Sequence, residues 1–404
     1  MSFDPLNLLI ASVVATFAVA SLAAMVCWSQ RRSIPSRTTL ALFFAAFALS
    51  EVDSLAFVLT AQMPQGLRDG TGFLNLVVNF CIMPLFLLYV RELLDARGTS
   101  DSGPASAFHV ALPATAAFVS VIGMAMPAAT REAWYTGATT DTPGLVFLQV
   151  SLTLLTIALV LQWAVYVIWI AQTQSRHIAR LKQHFASTEG MEQRWIAVLA
   201  FAMGFYILQT MAGETLVLLG GQDPVGPLLD SFLVLVVVVV VALWGLRPSP
   251  ELDHATQTLD AAEPHCDKKY EKSALGADQA GRIARKLIRA MQQDQLYRDP
   301  NLTLSTLSSH VGVSLNYVSQ TLNQHLHQSF FEFVNDWRVK EAIPMVKAGE
   351  TTVLAIAYEV GFNSRSSFYS AFKRVTGVTP TAYKNARHDP ARFPRAHPVA
   401  ADAE

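Results

Sequence analysis

The apolar positions along this chain change their rhythm once. From Leu6 to about Leu246 they come in long, almost uncharged runs; after Arg247 the chain turns polar, and from Gly281 apolar residues recur at helical spacing among charged ones. Seven runs read as spans: Leu6–Trp28, Thr38–Thr60, Gly72–Val90, Ala107–Met126, Gly144–Ile170, Trp195–Leu219 and Leu228–Leu246. Each lies near the ~20 residues that a helix needs to cross a bilayer. The valine run Val236–Val241 favours a strand in water, but in lipid the backbone must satisfy its own hydrogen bonds, and helix wins. The first run has no basic n-region and is too long for an h-region, so it reads as a span and not as a cleaved leader.

Charge sharpens this reading. The chain of 404 residues is 52% hydrophobic and 15% charged, against roughly 25% charged in soluble domains. With the N-terminus outside, the inner loops carry Arg31, Arg32, Arg37, Arg91, Arg97, Arg176, Arg180, Lys182 and Arg194, and the outer loops only Arg68 and Arg131. The positive-inside rule then predicts an inner-membrane protein whose residues from Arg247 onward are cytoplasmic. Residues 281–388 hold 13 Lys and Arg against 7 Asp and Glu, a basic balance that suits a polyanion. Cys27, Cys81 and Cys266 have no metal-site or disulfide spacing. The sequence therefore calls for no metal and no cofactor. No nucleophile motif, phosphate loop or metal-spaced His pair points to an enzyme.

Polar residues inside the apolar runs are the candidates for sensing, because a charge at the bilayer centre costs ~2.5–3.5 kcal/mol on insertion scales and is kept facing a bundle interior. They are Glu51 and Asp53 in the second run, Asn75 and Asn79 in the third, Gln149 in the fifth, Gln209, Thr210 and Glu214 in the sixth, and Asp230 in the seventh. Glu51 and Asp53 lie about 200° apart on a helix, so only one points inward; Glu51 is nearer the midplane. Two readings stand: an acidic, outward-opening pocket for a small ligand or protons, or hydrogen-bond glue between helices.

Residues 247–280, with Pro248, Pro250 and Pro264, read as a polar linker, with Tyr270 and Leu275 able to dock on the helix that follows. That helix is Gly281–Gln293, burying Ile283, Leu287, Ile288 and Met291. Thr303 then caps a short helix with Leu304, Leu307 and Val311 inside. Gly312 makes the turn, and Ser314 caps a helix burying Leu315, Val318 and Leu322. The pattern recurs: Thr352 caps Val353–Val360, Gly361 turns, and Asn363 or Ser364 caps a helix burying Phe368, Ala371, Phe372 and Val375. A connecting helix, Ser329–Lys347, holds the two helix-turn-helix units for successive major grooves, about 34 Å apart. The polar outer faces carry Asn and Gln, which read adenine edges.

Gly361–Lys373, then Thr376-Gly-Val-Thr-Pro380 and Tyr383, resembles the signature of AraC/XylS-type regulators, and Phe330–Ala342 resembles that family's linker helix. The match runs over about residues 282–387. Lys268–Leu275 resembles the lead-in of members fused to a multi-span membrane domain. The resemblance implies a seven-helix domain with two helix-turn-helix units that binds promoter DNA. Its base-facing positions fall on Asn316, Ser319, Gln320, Arg365, Ser366, Tyr369 and Ser370, and its phosphate positions on Ser314, Ser364 and Lys373. Two features depart from the pattern. Pro344, which cannot donate to the Lys340 carbonyl, calls for a kink or an early end to the linker helix. The first recognition helix also lacks a basic residue.

The expected architecture is all-α. Residues 1–246 form a seven-span transmembrane sensor bundle, 247–280 a linker, 281–388 the double helix-turn-helix domain, and 389–404 a disordered tail. The expected function is a membrane-tethered transcription regulator whose partners are double-stranded DNA, the lipid bilayer, an unidentified small molecule and a second copy met through the bundle. The rivals are an anchored regulator with no ligand and a transport-type protein whose helical domain binds a partner.

Overall fold

The computed structural model describes residues 5–32, 34, 36–59, 64–94, 106–135, 142–188, 195–218, 226–247 and 275–385. It is all-α: the described residues form helices and turns with no strand, one isolated bridge between Phe185 and Thr303 apart. The chain divides into two compact units, Met1–Ser175 with Gln193–Pro248, and Arg176–Glu192 with Ser249–Glu404.

The first unit holds α1 (Pro5–Gln30), α2 (Ser36–Leu59), α3 (Gln65–Leu94), α4 (Ser106–Ala125), α5 (Ala128–Tyr135), most of α6 (Pro143–His184), α7 (Trp195–Leu218) and α8 (Gly226–Gly245). All seven apolar runs are helices. Among the described residues, five of them are long and apolar enough to cross a bilayer, six if α4 and α5, bent by 118°, count as one broken span. Helices α1 to α4 pack in chain order, and α8 returns against α1 and α7. Ala20, Ala23 and Cys27 are buried and let α1 approach α2 closely, over a core of Phe43, Phe44, Phe86 and Tyr89. The outside is apolar: Phe201 is 78% exposed, Val121 69% and Leu208 69%.

Two elements of this unit depart from the sequence reading. Helix α5 was not expected, because Thr130, Arg131 and Glu132 interrupt its apolar pattern. It is tied back to α3 by ion pairs of Arg131 with the buried Asp69, at 2.6 Å, and of Glu132 with Arg68, at 2.5 Å. Helix α6 runs 14 residues beyond Ile170, because Ala171–His184 loses its apolar run but keeps good helix formers.

The second unit holds α9 (Ala277–Gln292), α10 (Leu304–Val311), α11 (Leu315–Gln320, continued as a π turn over Thr321–His325), α12 (Phe330–Ala348), α13 (Val353–Glu359), α14 (Arg365–Thr376) and α15 (Pro380–Asn385). Seven helices match the seven that the resemblance implies. They enclose two apolar cores, one around Leu287, Leu304, Leu307, Val318 and Phe330, the other around Ala342, Ile356, Phe368 and Phe372, both fed by α12. A capping box opens α12: the Ser329 hydroxyl accepts from the Glu332 N–H, and the Glu332 carboxylate accepts from the Ser329 N–H. The Pro344 departure is resolved. Helix α12 does not end early but continues four residues past the proline to Ala348, where Gly349 caps it at φ 69°. Leu275 packs on the first core as expected; Tyr270 and the tail 389–404 lie outside the described residues.

Candidate nucleic-acid interface

The first unit of the pair is built by α10 and α11. Thr303 caps α10 by accepting from the Thr306 N–H at 3.1 Å. Gly312 ends it at φ 67°, the left-handed region that glycine enters without strain. Ser314 sits at the start of α11 in extended backbone, but its hydroxyl makes no cap bond, contrary to expectation. It is exposed, as is Asn316, whereas Ser319 and Gln320 are half-buried, and the Gln320 Oε1 is shut from solvent without a partner. The helix widens into a π turn after Gln320, where the Thr321 hydroxyl donates to the Tyr317 carbonyl at 2.7 Å.

The basic residues that α11 lacks are supplied by α9. Arg282 and Lys286 line an open cleft of about 460 Å3 together with Val313, Ser314 and Tyr317. The sequence signal was present but unused: the two basic residues stand four apart on the exposed side of α9.

The second unit, α13 and α14, is better tied. Thr352 caps α13 through the Ala355 N–H at 3.1 Å. Of the two candidate caps for α14 it is Ser364 that accepts, from the Ser367 N–H at 3.3 Å. Arg365 is exposed, lies 4.8 Å from the Tyr369 ring centroid and donates to the Tyr369 hydroxyl at 3.1 Å. That hydroxyl also pairs with Thr381, and the Thr381 bond, with Arg365 adding to it, holds the phenol below its ordinary pKa. Ser366, Ser370 and Lys373 are exposed on the same helix. The Arg365 guanidinium is thus pre-oriented on an aromatic plate.

Between the units lies a buried arginine that the sequence reading passed over. Arg338 of α12 is 1% exposed. It donates from Nε to the Tyr297 carbonyl and from Nη2 to the Asp299 carbonyl, both at 2.7 Å, and lies 5.4 Å from the Phe362 ring centroid. Burial pushes its pKa down to about 10, so it stays charged at neutral pH. Gly361, at φ 95°, brings the second turn against the same strand of backbone: a Cβ there falls 2.7 Å from the carbonyls of Tyr297 and Arg298. A further pair, Arg374 to Asp336 at 2.6 Å, ties α14 to α12. Burial raises the Asp336 carboxyl above its usual range despite this partner.

The candidate intramembrane residues separate. The Asp53 carboxylate accepts from the Asn75 amide at 3.3 Å, and the Asn75 side-chain oxygen from the Asn79 amide at 2.6 Å, one chain between α2 and α3. Glu51 is buried. Gln149 is exposed on α6, away from that chain, and the Glu214 side chain lies outside what is described.

Residues 307–386 match the family model described as a helix-turn-helix domain. Over 91 residues the chain is 32% identical to a protein of Streptomyces lividans named as an AraC-like transcription regulator, covering 22% of this chain and 30% of that one. Over 93 residues it is 33% identical to an HTH-type transcriptional regulator of Staphylococcus aureus, covering 23% and 12%. Among solved structures, the C-terminal domain of AraT, a response regulator from Geobacillus stearothermophilus, is 25% identical, with a TM-score of 0.24, over 31% of this chain and 98% of that one. The chain spans less than a third of these two relatives' length. With two capped helix-turn-helix units already in the geometry, the C-terminal end of the chain is a helix-turn-helix domain of the AraC type.

Proposed function

We propose that this chain is a sequence-specific DNA-binding transcription regulator held in the bacterial inner membrane, with its AraC-type domain on the cytoplasmic side. The observation that carries the reading is the pairing, on one polypeptide, of two helix-turn-helix units whose second helices present Asn316, Arg365, Ser366 and Ser370 to solvent, with helices whose outer surface is Phe, Leu and Val. Arg365, Ser366, Tyr369 and Ser370, with Asn316, Ser319 and Gln320, read base edges; Ser314, Ser364 and Lys373, joined by Arg282 and Lys286, hold phosphates. Footprinting of the full chain on the DNA upstream of its own coding region, at several salt concentrations, tests this. A protected site whose affinity falls steeply with salt supports it, and no protection at low salt removes it.

In the same reading the bundle senses a small ligand or a membrane state, and pairs with a second copy. Glu51 and the Asp53–Asn75–Asn79 chain are the groups best placed to respond. The second reading, an anchor with no ligand, is favoured by the way that chain satisfies itself. Replacing Glu51 and Glu214 by Gln separates the two: a sensor loses its response while DNA binding persists, and an anchor changes nothing.

A further inference from the structure

Helix α6 belongs to both compact units: the division falls between Ser175 and Arg176, inside a continuous helix that runs from Pro143 to His184. The segment after the division is packed into the DNA-binding unit. Leu181 is fully buried, Phe185 is 6% exposed, Ala186 1% and Thr188 3%. Ala186 sits in the first apolar core with Leu287, Leu304 and Phe330. Its N–H donates to the Leu302 carbonyl at 3.1 Å, and Phe185 pairs with Thr303 in an antiparallel bridge. Lys182 stands 5.6 Å from the Phe331 ring centroid, and its charge favours the ionised Glu332 of the capping box that starts α12. These contacts fall on two key points, the cap residue of α10 and the first turn of the helix that joins the two helix-turn-helix units. A segment that merely connected two spans has no reason to place Ala186 in that core and to pair Phe185 with Thr303.

We propose that residues 176–188 are a strap docked on the first helix-turn-helix unit, through which a movement of α6 alters DNA binding; this rests on the reading of that unit as DNA-binding. The covalent link through residues 248–274 is a second connection. The strap is the shorter one, because a helix transmits a shift or rotation along its axis where a polar linker of that length does not. The strap grips the unit by backbone pairing and apolar burial, so its register, and with it the setting of α10 and α12, follows α6.

The test uses the full chain in membrane vesicles, with Cys27, Cys81 and Cys266 replaced and a protease site placed among residues 250–265. Phe185→Cys with Thr303→Cys puts two thiols at a bridge position, where Cα atoms stand about 4.5–5.5 Å apart, within disulfide reach. After mild oxidation and cleavage the two fragments remain joined, and each single-cysteine control separates. Separation of the fragments, with both thiols shown reactive after denaturation, overturns the docking. Transmission is read in parallel from the promoter affinity of the oxidised chain and of Ala186→Asp. We expect the two to differ by about tenfold, a coupling of ordinary size. Joined fragments with equal affinities overturn the transmission alone. Joined fragments with no DNA binding in any variant leave the docking standing and overturn the DNA-binding reading instead.

Discussion

The two units of this chain are built from the same secondary structure under opposite rules for what faces outward. In the first, the most exposed side chains include Phe201, Leu208 and Val121, while Arg37, Glu51 and Asp69 are inside. In the second, Leu354 and Tyr358 are the exposed large apolar residues among those described, and Leu, Val and Phe fill two closed cores. Helix formation itself does not distinguish the units. What distinguishes them is which side chains each surface presents, and that is written in the sequence as the rhythm of apolar positions rather than as any motif.

Substitutions chosen in pairs, one from each unit, break or sharpen this contrast. The largest effect is expected at a glycine. Gly361→Ala puts a Cβ against two backbone carbonyls at a positive φ and should cost about 3 kcal/mol or more, read as earlier unfolding of the second unit. Gly204→Ala, with open space around it, should cost less than about 0.5 kcal/mol. Next comes charge on the surface. Phe201→Lys should make insertion less favourable by about 2 kcal/mol or more in an insertion assay, whereas Leu354→Lys, on the other unit, should leave stability within about 0.5 kcal/mol. Equal tolerance at both sites would mean that the two surfaces meet the same medium.

Within the second unit, Arg365→Ala should relax base preference at one position by about 1–3 kcal/mol, while Lys373→Ala weakens all sequences alike and lowers the salt slope by about one. Competition footprinting with single-base variants checks both. The smallest effect separates the two recognition helices. Ser364→Ala removes a real cap and should cost about 1 kcal/mol of stability, and Ser314→Ala, which removes none, a few tenths. Chemical denaturation resolves the pair.

Much of the fold was legible because long apolar runs and glycine turns act locally. The seven runs, Gly312, Gly361 and the caps at Thr303 and Thr352 all sit where the pattern puts them. The misses have two causes, partners distant in sequence and local signals that disagree. Ser314 has the right residue type and backbone for a cap but lacks the bond. Pro344 sits inside a helix held by both cores, so packing overrides the local penalty. Arg338 reads as a surface charge until the carbonyls of Tyr297 and Asp299 converge on it. The extension of α6 hid because hydropathy ends at Ile170 while helix propensity does not. In the site itself, the exposed face of α14 followed from periodicity. The contribution of Arg282 and Lys286 from α9 needed the packing of α9 beside α11.

The central claim is one polypeptide serving two media, with the DNA-reading unit on the inner side of the membrane. Sealed vesicles of known orientation test it most directly: a labelled promoter fragment is added to inside-out and to right-side-out vesicles carrying the full chain, with Arg365→Ala and Lys373→Ala combined as the control. The account predicts that the fragment sediments with inside-out vesicles alone and that the control loses it. Sedimentation with right-side-out vesicles, or binding found only in the soluble fraction, would contradict it.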